Sequence, residues 1–146
     1  MRWPHLALSS SSSANNFQTT YDRYKERIKE SERNGNIETV FDGIKRIRIL
    51  ETKNELYILP LNIAPTKNKD PVLIRCDGYE ETRKEHLVSF CDTSYFHPDG
   101  FVLWYRFNRV DYPATEFAVL DHENREKIDF MIKEAQKWAD SQGDAP

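Results

Sequence analysis

Ile37-Glu38-Thr39-Val40-Phe41-Asp42-Gly43-Ile44-Lys45-Arg46-Ile47-Arg48-Ile49-Leu50 is the stretch on which the fold turns. β-branched residues stand on both sides of a central Asp-Gly pair. Aspartate and glycine tolerate the positive φ values that a two-residue hairpin turn requires at its centre. The stretch therefore predicts two antiparallel strands, 37–41 and 44–50, joined by a tight reversal. Asp-Gly recurs at Asp77-Gly78 and Asp99-Gly100, again between apolar runs. The middle of the chain is expected to be an antiparallel meander.

On the N-terminal side of this hairpin, Phe17, Tyr21, Tyr24 and Ile28 recur at helical spacing, with charged residues between them. Asn34-Gly35 supplies a left-handed helix stop. On the C-terminal side, the polar turn 52–55 leads to a third strand, Leu56–Leu61, in which Pro60 marks a sheet edge or the end of pairing. Pro71–Cys76 reads as a fourth strand. Tyr79–His86 fits either a short exposed helix or the solvated half of a long strand. Leu87–Cys91 is apolar again, and Asp92–Gly100 reads as a loop. Phe101–Val110 is the most aromatic strand. Its alternation puts Phe101, Leu103, Tyr105 and Phe107 on one face and Val102, Trp104, Arg106 and Asn108 on the other.

Thr115–Leu120 can add a last strand. Asp121 would then cap a helix whose apolar face is Ile128, Met131, Ile132, Ala135, Trp138 and Ala139. The expected architecture is α+β: an antiparallel meander of six or seven strands packed against an N-terminal and a long C-terminal helix, both on one face. Residues 1–16, rich in Ser and Asn, are expected to be a disordered leader, 17–141 a single domain and 142–146 a polar tail. This arrangement resembles helix-grip folds, small acidic secretion chaperones and bacterial immunity proteins in general shape.

The chain has 146 residues, 38% hydrophobic and 31% charged, with a net charge of −3. That balance argues against a general electrostatic affinity for nucleic acid or anionic membrane. No apolar run is long enough to span a bilayer, and the apolar stretch near the N-terminus falls short of a secretory signal. A cytosolic setting is the expectation, with Cys76 and Cys91 as reduced core thiols and a single bridge as the alternative. Glycine-rich phosphate loops, Gly-x-Ser-x-Gly, His-Glu-x-x-His and Cys-x-x-Cys are all absent from the sequence.

Three sets of residues bear on function. Asp42, followed by Glu51-Thr52-Lys53 at the end of an apolar strand, resembles the core of the PD-(D/E)xK nucleases. The resemblance implies two metal-holding carboxylates and a lysine that orients water, but the hairpin reading places Asp42 and Glu51 at opposite strand ends. Cys91 with His86 and His97, beside Asp92 and Asp99, offers thiolate and imidazole donors at spacings that match no common zinc pattern. The third set is the scatter of arginines in apolar strands: Arg46, Arg48, Arg75, Arg106 and Arg109. Arginine beside aromatics suits recognition of a carboxylate, a phosphate or a stacked base, and also marks hot spots at protein interfaces, whereas cross-strand pairs with Glu38, Glu51 and Glu55 would use the same residues structurally.

The leading expectation is a small protein-binding module without metal or cofactor, using a sheet face or edge. Its contacts are Trp104, Arg106, Arg46 and Arg48, with Arg109 and Tyr112 at the margin. The alternatives are the metal-dependent nuclease and a helix-grip pocket for a small ligand lined by Tyr57, Tyr105, Phe107 and Trp138.

Overall fold

The computed structural model describes residues 5–9 as backbone and residues 17–85 and 89–143 in full. In chain order the elements are β1 (His5–Ser9), α1 (Thr20–Asn34), β2 (Glu38–Phe41), β3 (Ile44–Ile49), β4 (Asn54–Leu59), β5 (Val72–Asp77), a 3-10 helix (Glu80–Glu85), β6 (Phe90–Phe96), β7 (Val102–Asn108), a 3-10 turn (Ala114–Glu116) and α2 (Phe117–Gly143). The strands form one antiparallel sheet in the order β1-β7-β6-β5-β4-β3-β2. The body is thus a six-strand meander, β2 to β7, flanked by an N-terminal and a long C-terminal helix. β1 adds a seventh strand along the edge of β7, so residues 5–9 of the expected leader are in the sheet; the remainder of 1–16 lies outside the described residues.

The decisive hairpin forms as expected. Asp42 (φ 47°) and Gly43 (φ 79°) both take positive φ between β2 and β3, the backbone of a primed turn. α1 begins at Thr19, whose hydroxyl accepts from the Asp22 N–H at 3.1 Å. It ends at Gly35, where the Asn36 N–H bonds back to the Ser31 carbonyl at 2.9 Å, closing the left-handed cap. β4 stops one residue before Pro60, so the proline marks the end of pairing inside the sheet rather than an edge.

The helices lie on opposite faces of the sheet, not on one. Ile28 of α1 is buried with Ile47, Ile49, Leu56 and Leu73. On the other side, Phe117, Leu120 and Ile128 of α2 pack on Tyr57, Leu59, Ile74, Leu103, Tyr105 and Phe107. The reason is visible in the central strands. Leu56-Tyr57-Ile58-Leu59 and Val72-Leu73-Ile74 are apolar at both parities, so each of their faces must be covered.

Three further expectations change. Asp92–Phe96, read as loop, belongs to β6. Its polar side chains are satisfied by tertiary partners: Thr93 donates to the Leu73 carbonyl at 2.6 Å, and the Ser94 N–H donates to the Thr20 hydroxyl at 2.9 Å. Thr115–Leu120, read as a last strand, falls instead in the 3-10 turn and the start of α2. Phe117, Leu120, Asp121, Asn124, Arg125 and Ile128 form one buried stripe, so Asp121 is an interior helix residue rather than a cap. Finally, Cys76 and Cys91 are direct partners across β5 and β6, fully buried, with Cα atoms 4.0 Å apart, and they form a disulfide. The reduced thiols expected from the sequence are not what the fold brings about; cross-strand register places the two sulfurs together.

Candidate functional site

Cross-strand register sorts the candidate residues onto two faces, because directly opposed residues project to the same side. One row runs Ile47–Leu56–Arg75–Asp92–Arg106, on the α1 side. Arg46 opposes Tyr57, and Arg48 opposes Glu55, on the α2 side. Arg46 and Arg48 thus share a face, and so do Trp104 and Arg106, but the two pairs are separated by the thickness of the sheet.

On the α2 side the arginines are consumed by carboxylates. Glu55 is fully buried, and one of its oxygens accepts from Arg109 Nη2 at 2.5 Å, from the Tyr57 hydroxyl at 3.1 Å and from the Glu80 N–H at 2.6 Å. Its other oxygen accepts from Arg48 Nε at 2.6 Å. Arg48 also binds Glu81, and Arg46 binds Glu38 at 2.9 Å. Arg109, itself without exposure, donates further to the carbonyls of Asp77 at 3.1 Å and Gly78 at 2.9 Å. A buried carboxylate needs this degree of pairing, since an unpaired ion in a low-dielectric interior costs several kcal/mol. Burial, aided by the Glu55 charge, pushes the Tyr57 hydroxyl well above its ordinary range. The network ties β3, β4, the 3-10 helix and the end of β7 together. Its cross-strand pairs with Glu38 and Glu55 are those the sequence allowed for; Glu51 instead pairs with Arg27 of α1 at 3.2 Å.

A second polar cluster sits between the sheet and α2. Asp121 accepts from the hydroxyls of Tyr95 and Tyr105, each at 2.8 Å, and from Arg125 Nε at 2.8 Å. Burial first, and the Asp121 charge second, raises both tyrosines far above their usual range. Arg125 reaches the Pro65 carbonyl at 2.5 Å. Asn124, one residue away, is fully buried with neither amide atom hydrogen-bonded. The would-be helix-grip pocket is filled: Phe117 meets Tyr57 edge-on at 5.1 Å and Phe107 at 5.3 Å. Trp138, expected to line it, is 67% exposed, and Met131 is exposed as well. Tyr112 packs edge-on to Phe107 at 5.4 Å and lines a groove with Glu116, Val119, Leu120 and Glu123.

The nuclease-like residues are not brought together. Asp42 lies in the turn before β3, and Glu51 and Lys53 lie in the turn after it. The six-residue strand between them spans roughly 20 Å, far too much for one metal ion. Of the cysteine–histidine set, Cys91 is in the disulfide and His86 lies outside the described residues. His97 gathers Asp99 and Asp129 instead. Its Nδ1 accepts the Asp99 N–H at 3.1 Å, and its Nε2 faces Asp129 at 3.6 Å. The trio links α2 to the β6–β7 turn through His97.

Among the described residues, α1 packs on β3 to β6 and does not reach β7, whose Trp104 and Arg106 are half-buried. The Arg106 guanidinium stacks on the Phe90 ring of β6 at 3.8 Å, and its Nε has no hydrogen-bond partner. Beside it, Asp92 pairs with Arg75 at 3.4 Å, and Arg75 with Asp77 at 2.8 Å. Phe90 was not singled out from the sequence, although its place across from Asn108, diagonal to Arg106, follows once the β6–β7 register is known. No helix among the described residues is long and apolar enough to cross a membrane. Compared with known protein families, characterised proteins and solved structures, the chain matches none.

Proposed function

We propose that this protein is a small protein-binding module whose contact surface is the strip of sheet formed by Trp104, Arg106 and Phe90. The observation that carries this reading is that the half-buried Trp104 and the Phe90-stacked Arg106 stand two residues apart on one face of β7, which neither helix among the described residues covers. Tryptophan and arginine are the residue types that most often dominate binding energy at interfaces. Arginine stacked on an aromatic ring is pre-oriented, so less side-chain entropy is lost on docking. Arg46, Arg48 and Arg109 are not part of this surface, because their guanidinium groups neutralise Glu38, Glu55, Glu80 and Glu81.

The cytosolic setting expected from the sequence fits the buried Cys76–Cys91 bond poorly, since disulfides persist mainly in oxidising compartments. The bond supports a partner met in such a compartment.

The test is in-cell crosslinking and co-purification of wild-type protein against Trp104→Ala and Arg106→Ala, with Lys29→Ala on α1 as control. Each of the first two is expected to weaken partner capture roughly tenfold or more while leaving the melting temperature nearly unchanged. Equal capture by all four proteins would sink the reading. A magnesium-dependent nicking activity lost in Glu51→Ala would replace it with the nuclease.

A further inference from the structure

The two edges of the sheet are protected differently. At one, β2 is four residues long and its register breaks between Thr39 and Phe41, which interrupts the row of free backbone groups. At the other, β7 runs seven regular residues without a break, the kind of edge that readily accepts an added strand. Its cover is β1, in register from His5 opposite Arg106 to Ser9 opposite Val102. Among the described strands, the β1–β7 pairing is the one between elements remote in sequence; β2 to β7 are a continuous meander. Both helices are anchored on that meander, α1 through Thr20 and Ser94, α2 through Asp121 with Tyr95 and Tyr105. From Trp3 to Tyr21 the sequence has no acidic residue, lysine or arginine, so this segment brings no like charge of its own to the β7 edge.

We propose that His5–Ser9 is an exchangeable strand and the β7 edge its acceptor, so that two copies of this chain associate by each lending β1 to the other. The backbone register is the same whichever copy supplies the strand, with Leu6 opposite Tyr105 and Leu8 opposite Leu103. Residues 10–19 join β1 to α1 and, fully extended, reach at most roughly 36 Å. Closure within one chain through such a connection corresponds to an effective concentration on the order of millimolar. The closed monomer therefore prevails at micromolar concentration, and the exchanged dimer grows in when chains are concentrated or refold together.

Sedimentation of the full chain from micromolar to millimolar, before and after refolding from urea at the highest concentration, tests this. The expected result is a dimer with a midpoint on the order of millimolar that is lost in a chain lacking residues 1–16. Circular dichroism checks that the shortened chain still melts cooperatively. Should it not fold, the full-length variant carrying Leu6→Pro and Ala7→Pro takes its place, since two prolines remove successive N–H donors from the strand. A monomer at every concentration overturns the proposal. So does a dimer that survives either variant, because another surface, such as the exposed stripe of α2, would then be holding it.

Discussion

The Glu55 carboxyl lies where water does not reach, surrounded by the guanidinium groups of Arg46, Arg48 and Arg109. Breaking such a group is costly in one direction only: removing the cation strands the anion. Arg109→Met is therefore expected to cost about 3–5 kcal/mol in urea unfolding. Pairing it with Glu55→Gln should recover part of that loss, because the stranded charge disappears. Asn124 gives the opposite case. Both of its amide atoms are buried without a partner, which costs on the order of 1–3 kcal/mol. Asn124→Leu removes the polar group at similar branching and is expected to raise the unfolding midpoint, with a gain on the order of 1 kcal/mol. A loss of stability in that variant would mean that the amide is solvated internally and contributes to the fold. Neither residue stands out in the sequence. Glu55 shares the parity of Tyr57 in a strand, so an inward-facing charge was there to be read, but its partner Arg109 is 54 positions away.

At the scale of elements, turn chemistry was the legible part. Asp42-Gly43 and Asn34-Gly35 set the ends of β2, β3 and α1, because positive φ is a local property of few residue types. β6 was only half legible. Asp92, Thr93 and Ser94 look like loop residues until Arg75, Leu73 and Thr20 are placed against them, and those partners come from other elements. The candidate site suffered in the same way: alternation correctly paired Trp104 with Arg106 and Arg46 with Arg48, but only register decides that the pairs face opposite ways. The Cys76–Cys91 link depends on register too. It closes a loop with a sequence separation of 15, and for such a loop the chain-entropy account gives about 3 kcal/mol. Replacing both cysteines by alanine is expected to lower stability by about that amount in urea unfolding. A loss below about 1 kcal/mol would show that burial of the two strands, rather than the link, holds this part of the sheet.

For the whole molecule, the two-faced core decides how stability depends on pH. Tyr57, Tyr95 and Tyr105 all have hydroxyls shifted upward from the ordinary value of 10.0, chiefly by burial. A raised folded-state pKa means that the unfolded chain releases these protons first. Their stabilising effect is complete below about pH 10 and is lost as pH climbs toward the folded values. Stability is expected to fall above that point with a slope of roughly 1.4 kcal/mol per pH unit for each tyrosine. Denaturant unfolding between pH 8 and 11 measures the slope, and Tyr105→Phe should flatten it by roughly a third. An unchanged slope in that variant would mean that the Tyr105 hydroxyl is open to ionisation in the folded protein.

The bond between β5 and β6 has one more consequence. It bolts together the two sides of the excursion from Asp77 to Phe90, which carries Arg83 and Lys84. A trypsin-like cut after either residue would sever the backbone without freeing a fragment, so the clipped and intact molecules would run together on a gel until a reductant separated them. The sheet register across β5 and β6 would then outlast the continuity of the chain that made it.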